Sequence, residues 1–294
     1  MGRNNSTVQI QISTPAKVNL FFEVLGKRND GFHEIVSVAL PIRLFDRLRM
    51  KTAEDSRITF RCTGNSDDVP ADENNIVVKT LQKIQERFSI RCGADVYLQK
   101  RIPSQAGLGG GSSDAAAAAR TAVRAWNLTV TQEELAAILA EIGSDCPIFL
   151  YNMPSISTGR GEIIRPLPAI EPLWFVLWKP AEGLSTADVY RECMPLHNGD
   201  FRKPDALVAA LAGGNVDAIG RELFNRLEVP ARKLWKRFDF IKQRMTEAGC
   251  VAVKLCGSGT SFFGLCYNKE SADEAAANLP PNEQIFVVRS AGRE

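Results

Sequence analysis

The sequence predicts a two-domain protein built from both strands and helices, and three observations carry this prediction. A chain of 294 residues, 45% of them hydrophobic, is long enough to bury two separate cores. The first part of the chain shows mostly strand patterns, whereas a helical period sets in at Asn74. The stretch Thr158-Gly-Arg-Gly161, followed by Pro166 and Pro168, is a candidate boundary, so we assign residues 1–160 and 161–294 to the two domains.

Alternating side chains and one turn predict the N-terminal strands. Val8, Ile10 and Ile12 share one face of the chain, which is the two-residue period of a strand. Asn29-Asp30-Gly31 predicts a hairpin turn, because Asp-Gly supplies the positive φ angles that a tight turn needs. On these grounds strands are predicted over residues 7–13, 17–25, 32–42, 47–51 and 57–62.

Helical periodicity and capping residues define the remaining elements. Thr131 and Glu134 form the capping box of one helix, and Gly143 ends that helix. Around it we predict a helix from residue 74, a strand over 93–100, a loop over 103–113, a helix over 115–126 and a loop over 144–147. Beyond the boundary we predict a strand over 173–178, helices between 186 and 248, a strand over 251–255, a turn over 257–261, a strand to 266, a helix over 272–278 and a strand near 286.

The composition excludes several classes of protein. A net charge of +2, with Lys and Arg dispersed, provides no basic surface for nucleic acid. No apolar run approaches the roughly 20 residues that span a bilayer, and the N-terminus lacks a signal-peptide pattern. Seven scattered cysteines without a C-x-x-C pair, and two histidines, favour reduced thiols over a zinc site or disulfide framework. We expect a cytoplasmic protein, a monomer or weak homodimer, that acts on a small molecule and has no nucleic-acid or membrane partner.

The strongest local signal is a glycine-rich loop, Gly107-Leu-Gly-Gly-Gly-Ser-Ser113, between a predicted strand and an alanine-rich helix. Glycine lets backbone N–H groups approach an anion without Cβ clashes, and the free amides at a helix start favour negative charge. Ser112 and Ser113 can cap the helix and offer hydroxyls to phosphate or a metal. The pattern therefore predicts a phosphate-binding loop. The alternative is a tight turn without a ligand, which four glycines within five positions make entropically costly.

The loop differs from three common nucleotide motifs. It lacks the Lys-Ser/Thr ending of a Walker loop. A dinucleotide fold has a third glycine where Ser112 stands here. The H-R-D and D-F-G signatures of protein kinases are absent from the sequence.

Residues Pro103 to Ser113 follow the central signature of a known family, and further segments match that family in the same order. These segments are Pro15-Ala-Lys-Val-Asn-Leu20, Gly26-Lys-Arg-Asn-Asp-Gly-Phe-His33, Gly143-Ser-Asp-Cys-Pro-Ile148 and Gly257-Ser-Gly-Thr260. On these segments the chain resembles the GHMP kinases. The first two are typical of the branch that phosphorylates a cytidine-diphosphate-linked polyol in isoprenoid-precursor synthesis, with Phe32 where tyrosine is usual.

The resemblance implies a two-domain α+β fold with the active site in the cleft between the domains. The N-terminal domain should be of the ribosomal-protein-like type and the C-terminal domain a ferredoxin-like α/β unit. ATP should be the co-substrate, with Mg²⁺ as cofactor. The ATP-binding residues that the resemblance implies are Pro103, Ser104, Gln105, Ala106, Gly107, Leu108, Gly109, Gly110, Gly111, Ser112, Ser113, Asn75, Ile76 and Lys100, the last three beside adenine.

Asp145 and Lys17 are the catalytic residues that the resemblance implies. Asp145 would accept the proton of the attacking hydroxyl, and Lys17 would stabilise the developing charge. On the sequence alone, Asp145 could instead cap the segment that begins at Pro147. Lys17 could equally be an edge-strand residue that points to water.

The resemblance also implies the acceptor site. Asn19 should bond to the substrate, Phe32 and Tyr190 should stack on cytosine, and His33 should contact its edge. Thr186 and the backbone amides of Gly257, Ser258, Gly259 and Thr260 should complete the site. Without the resemblance, Phe32 and Tyr190 would be core aromatics and the glycine turn a plain connection. The rival functions are a homoserine, mevalonate or sugar kinase, a diphosphomevalonate decarboxylase, or an inactive ATP-binding regulator.

Overall fold

The computed structural model describes residues 7–66, 68–193 and 200–291. Its strands are β1 (Gln9–Lys27), β2 (His33–Ala53), β3 (Ile58–Gly64), β4 (Gly93–Lys100), β5 (Ser155–Thr158), β6 (Ile163–Pro166), β7 (Trp174–Lys179), β8 (Phe224–Asn225), β9 (Ala252–Leu255), β10 (Phe262–Cys266) and β11 (Gln284–Arg289). Its helices are α1 (Ile76–Phe88), α2 (Gly110–Ala125), α3 (Gln132–Ile142), α4 (Ile148–Tyr151), α5 (Thr186–Glu192), α6 (Asp205–Gly213), α7 (Val216–Glu222), α8 (Glu228–Leu234), α9 (Phe238–Glu247) and α10 (Lys269–Ala277).

The chain divides into two compact units, each assembled from several segments. The first comprises Met1–Ala16, Leu44–Ser104 and Gly109–Tyr151, and the second comprises Lys17–Arg43, Gln105–Leu108 and Asn152–Glu294. Strands β1 and β2 therefore contribute residues to both units. The division at residue 160 and the position of an active site between the domains both stay predictions.

In the first unit a sheet is covered by helices. β4 pairs in parallel with β3 and antiparallel with β2, where Leu48 lies opposite Leu98. Helix α1 packs on α2 and α3, and its Leu81 and Ile84 are fully buried together with those two leucines. Apolar residues at every second strand position and every third or fourth helix position therefore meet in one core. Each buried side chain of this size contributes about 1.5–3 kcal/mol.

The second unit contains an antiparallel sheet in the order β11-β7-β10-β9. Phe262 of β10 lies opposite Trp178 of β7, and both side chains are fully buried. Trp235 stacks on Phe262 with ring centroids 5.8 Å apart, and α9 adds Ile241 to the same core. At another place in this unit, β8 pairs in parallel with β1. This short pairing fixes the segment that precedes α8 to the strand that carries Lys17.

The structure differs from the predicted elements in the N-terminal strands and at the predicted boundary. Two pairs of predicted strands are continuous, because β1 runs through residues 14–16 and β2 runs through residues 43–46. The predicted boundary contains a hairpin of β5 and β6, whose turn uses the positive φ of Gly159 and Gly161. The predicted helical region includes residues 194–199, which lie outside the described residues. The capping box of Thr131 and Glu134 and the end of α3 at Gly143 are confirmed.

Where the chain is described, none of the helices has the length and hydropathy that a bilayer crossing requires.

Candidate active site

The glycine-rich loop connects β4 to α2 through left-handed backbone conformations. Gln105, Gly107 and Gly109 have φ angles of 50°, 72° and 71°. A Cβ on Gly107 would lie 1.8 Å from the carbonyl oxygen of Cys256, so only glycine fits there. Helix α2 begins at Gly110, and the amides of its first turn have no carbonyl partner within the helix. The loop therefore ends in a set of N–H donors suited to phosphate.

The prediction that Ser112 and Ser113 cap α2 is wrong. The N-cap is Gly109, which makes no side-chain cap bond, because the helix starts earlier than the alanine run suggests. The Ser113 hydroxyl is fully buried and donates to the Pro15 carbonyl oxygen at 2.6 Å. Ser112 lies beside Cys146, where its hydroxyl opposes the rise in pKa that burial gives that thiol. Their contacts with ATP stay predictions.

Lys17 is held against the glycine-rich loop. Its side chain is buried, and its Nζ donates to Asn19 Oδ1 at 2.6 Å and to the Gly107 carbonyl oxygen at 2.9 Å. Its backbone N–H donates to the Leu108 carbonyl oxygen at 2.9 Å. The alternative that Lys17 is an edge-strand residue pointing to water is therefore wrong. A cation lies where the loop turns.

A chain of hydrogen bonds orients the Asn19 amide. Its Oδ1 accepts from Lys17, and its Nδ2 donates to Ser37 Oγ at 2.8 Å. Ser37 in turn donates to the Phe21 carbonyl oxygen at 2.9 Å. Because the Ser37 hydroxyl uses its hydrogen on that carbonyl, it accepts from Asn19, which fixes the amide with its oxygen towards the ammonium.

The turn between β9 and β10 lies next to Lys17. A Cβ on Gly257 would lie 3.5 Å from both Lys17 Nζ and Asn19 Oδ1. The Gly259 N–H closes the turn onto the Cys256 carbonyl oxygen at 2.8 Å. Two side chains of the turn also form hydrogen bonds. The Ser258 hydroxyl lies 2.9 Å from that of Thr186, and the Thr260 hydroxyl donates to the Glu182 carbonyl oxygen.

The predicted base-stacking residues differ from one another in their contacts. Phe32 is 47% exposed. The alternative that Phe32 is a core aromatic is therefore wrong. The Arg160 guanidinium carbon lies 4.7 Å from the centre of the Phe32 ring. His33 contacts Tyr190, with ring centroids 5.0 Å apart. Partial burial, followed by the charge of Lys27, lowers the pKa of His33, which favours the neutral imidazole.

Asp145 lies in the loop between α3 and α4, close to the start of α2. Its neighbour Cys146 is buried, and burial raises the pKa of that thiol to about 12. The Ser112 hydroxyl, in the first turn of α2, opposes this rise in pKa, and α4, which follows the loop, packs on α2. Asp145 is thus carried by a segment anchored beside the amides of the glycine-rich loop.

Two of the three residues predicted beside adenine form hydrogen bonds or ion pairs within the protein. Asn75 is the N-cap of α1, where its Oδ1 accepts from the Val77 N–H at 2.8 Å. Lys100 is buried and forms ion pairs with Asp46 at 2.5 Å and Asp114 at 2.7 Å. Ile76 lies near Gly111 and is half-buried. Adenine binding by these three residues stays a prediction.

The buried ion pairs around Lys100 were not predicted from the sequence. Asp46 Oδ1 also accepts from the N–H groups of Arg101 and Ile102. Within the described residues, Asp114 Oδ1 has no hydrogen-bond partner. Burial, opposed by Lys100 and reinforced by Asp46, raises the pKa of Asp114. A lone aspartate in a strand and another directly before the alanine run gave no sequence signal for this cluster.

The described residues contain no cluster of three or more His, Cys, Asp or Glu side chains that could hold a metal ion. Mg²⁺ in nucleotide sites usually binds substrate phosphates and only one or two protein carboxylates. Ser112, in the first turn of α2, and Asp145, in the loop before α4, carry oxygen atoms of the kind that binds Mg²⁺.

Two family models match the chain. GHMP kinases N terminal domain matches residues 75–153, and GHMP kinases C terminal matches residues 207–283. The 4-diphosphocytidyl-2-C-methyl-D-erythritol kinase of Geobacillus thermodenitrificans is 38% identical, over 97% of this chain and 98% of that protein. The protein of the same name from Pelotomaculum thermopropionicum is 37% identical, over 94% of this chain and 96% of its own.

Solved structures give the same grouping. A crystal structure of 4-(cytidine 5'-diphospho)-2C-methyl-D-erythritol kinase has a TM-score of 0.82 and 32% identity, and covers 97% of this chain and 100% of its own. Homoserine kinase from Cytophaga hutchinsonii has a TM-score of 0.77 but 19% identity, over 99% of this chain and 97% of its own. The second likeness therefore concerns the fold alone.

Proposed function

The chain belongs to the GHMP kinase family, and on that premise we propose that it transfers the γ-phosphoryl group of ATP to the 2-hydroxyl of 4-diphosphocytidyl-2-C-methyl-D-erythritol. This reaction belongs to the non-mevalonate route to isoprenoid precursors. The observation that carries the proposal is the buried Lys17 ammonium, held by Asn19 and the Gly107 carbonyl and bordered by Gly257. A cation fixed between two glycine turns suits the charge that develops during phosphoryl transfer.

In the proposed mechanism, the glycine-rich loop binds the phosphates of ATP. The amides at the start of α2 would contact the phosphate oxygens, and Lys17 would stabilise charge on the transferred group. Asp145 would accept the proton as the acceptor hydroxyl attacks the γ-phosphorus. The bond from the γ-phosphorus to the bridging oxygen of ADP breaks as the new phosphate ester forms. The packing of α4 on α2 supports this arrangement, because α4 begins three residues after Asp145.

Mg²⁺ belongs to the proposal as the ion that neutralises the phosphate charge. Asp145 and Ser112 are the oxygen donors of this chain that would hold it beside ATP. We also propose that the protein works in the cytoplasm as a monomer or weak homodimer, without a nucleic-acid or membrane partner.

Acceptor recognition is proposed to involve the residues around Phe32. An exposed ring, a neutral imidazole at His33 and the half-buried ring of Tyr190 together suit a flat, uncharged base. Asn19, oriented by its hydrogen-bond chain, and Thr186, beside Ser258, would contact the rest of the acceptor. Homoserine, mevalonate and galactose have no base to stack, so this grouping favours the cytidine acceptor over theirs.

An acceptor panel tests the proposal directly. ADP release is measured with ATP and 4-diphosphocytidyl-2-C-methyl-D-erythritol, homoserine, mevalonate or galactose in turn, and Asp145→Asn controls for contaminating kinases. We expect the cytidine acceptor to give the highest kcat/KM. Faster turnover of another acceptor would make the chain a different kinase of this family. ATP binding without ADP release for any acceptor would favour the inactive regulator.

A further inference from the structure

A buried asparagine outside the glycine motifs uses every polar atom of its amide. Asn225, the second residue of β8, is 3% exposed. Its Nδ2 donates to the carbonyl oxygens of Leu255 at 2.9 Å and Gly257 at 2.8 Å. Its Oδ1 accepts from the Leu227 N–H at 2.9 Å. Because both N–H donors and the acceptor are engaged, the amide has one orientation.

The same asparagine is tied to the strand that carries Lys17. Asn225 lies opposite Phe22 in the parallel pairing of β8 with β1, and the next N–H, from Arg226, donates to the Phe22 carbonyl oxygen at 2.8 Å. Lys17 is five residues earlier on β1. Asn225 therefore connects the strand of Lys17 with the first residue of the Gly257–Thr260 turn.

The bond from Asn225 to the Gly257 carbonyl also sets the direction of an amide. In a planar trans peptide the C=O and the following N–H point in opposite directions. With the Gly257 oxygen directed at Asn225, the Ser258 N–H points away from it. The Gly259 N–H is used within the turn, whereas the Ser258 N–H donates to no group in the part of the chain that the structure describes. Ser258 is half-buried, and its N–H is therefore available to a ligand.

We propose that Asn225 is a positioning residue for the acceptor, which holds the Gly257–Ser258 peptide so that the Ser258 N–H is presented to the acceptor's diphosphate. This inference rests on the proposed function, because it takes the acceptor to carry an anionic diphosphate. Asn225 itself would touch neither substrate. Its effect passes through Gly257, whose position beside Lys17 and Asn19 depends on the same hydrogen bond.

The test compares two substitutions at this site. Asn225→Ala removes all three hydrogen bonds, whereas the isosteric Asn225→Asp keeps the acceptor for Leu227 and turns a carboxylate oxygen towards the two carbonyls. A displacement of about 1 Å at a reacting centre can cost on the order of 10²-fold in rate. We expect both variants to lose about that factor in kcat/KM for the acceptor, with the KM for ATP changed less than about threefold.

Val253→Ala is the matched control, because it leaves a cavity at a buried position of β9 without removing a hydrogen bond to the turn. Thermal unfolding of all variants is followed alongside the kinetics. We expect Val253→Ala to lower the unfolding midpoint and to keep kcat/KM for the acceptor within about twofold.

Each outcome decides the proposal. Equal losses for ATP and the acceptor, or a loss in Val253→Ala that matches the Asn225 variants, would make Asn225 a stabilising residue only. The same conclusion follows if neither Asn225 variant folds. If the unmodified protein does not phosphorylate the cytidine acceptor, the proposed function fails first, and this is seen before any variant is compared.

Discussion

Gly107→Ala should disable the glycine-rich loop, because this residue combines a positive φ with a backbone contact. Its φ is 72°, and an added Cβ would lie 1.8 Å from the Cys256 carbonyl oxygen. The carbon must retreat by about 1.2 Å to reach 3.0 Å, below which real Cβ contacts are essentially not found. The obstacle is a backbone atom, so a change of side-chain rotamer cannot remove it.

The magnitude follows from two effects. The left-handed conformation costs an alanine about 1–2 kcal/mol, which lowers stability without affecting the site. The forced shift moves the Gly107 carbonyl that accepts from Lys17 Nζ, and a displacement of about 1 Å can cost on the order of 10²-fold. We expect kcat/KM for ATP to fall by about that factor in steady-state assays.

Gly214→Ala separates these two effects. Gly214 has a φ of 68°, at the end of α6, and no atom lies within 4 Å of an added Cβ. It should therefore lose similar stability in thermal unfolding while kcat/KM stays within about twofold. If Gly107→Ala remains folded and behaves like Gly214→Ala in the kinetics, the contact with Cys256 does not hold the loop for catalysis.

Further predictions concern the base, the acceptor ring, the histidine and the buried ion pairs. Asp145→Asn should lower kcat by about 10²–10⁴-fold with ATP binding within a few-fold in calorimetry, and near-normal turnover would remove Asp145 from the mechanism. Phe32→Ala should raise the KM for the cytidine acceptor by about ten- to a hundredfold, far more than that for ATP, whereas Phe32→Tyr should be near neutral; equal effects on both substrates would make Phe32 a packing residue. Because its pKa is lowered, His33 should remain neutral down to pH 6.5, so the acceptor KM should rise only below that pH, and a rise that persists in His33→Gln would exclude this histidine. Lys100→Met should reduce the free energy of unfolding by about 3–5 kcal/mol in denaturant titrations, since it leaves the Asp46 carboxylate buried without its cation, and a loss under 1 kcal/mol would contradict this.

The raised pKa of Asp114 makes the stability of the folded protein depend on pH. The folded state holds a proton on Asp114 above its ordinary pKa of 3.8, so the contribution of this group is complete below that value and is lost as pH rises through the folded pKa. Asp114→Asn should flatten this decline in stability. An unchanged pH dependence of unfolding in the variant would show that another group titrates.

Local patterns predicted most of the elements, since periodicity and caps are encoded by neighbouring residues. The capping box of α3 is an example, because Thr131 and Glu134 satisfy each other's backbone within one turn. Strand β8 was missed because it has two residues and its pairing with β1 depends on tertiary contacts. The predicted gaps at residues 14–16 and 43–46 are absent, since β1 and β2 continue through both.

Site residues were predicted only where they belong to a sequence motif. Lys17 had two readings from its strand pattern alone, and its burial against the loop separates them. Asn225 and Asp46 had no motif, because a hydrogen bond between residues far apart in sequence leaves no local pattern. Lys100 was expected beside adenine, yet its ammonium forms two buried ion pairs that sequence spacing does not reveal.

The position of the transferred phosphate tests the central claim most directly. The protein is incubated with ATP and 4-diphosphocytidyl-2-C-methyl-D-erythritol, and the product is analysed by phosphorus and carbon NMR alongside the amount of ADP formed. The account predicts a phosphate monoester on the 2-hydroxyl carbon of the methylerythritol, in equal amount to ADP. Phosphate on another hydroxyl, or release of inorganic phosphate without a new ester, would contradict it.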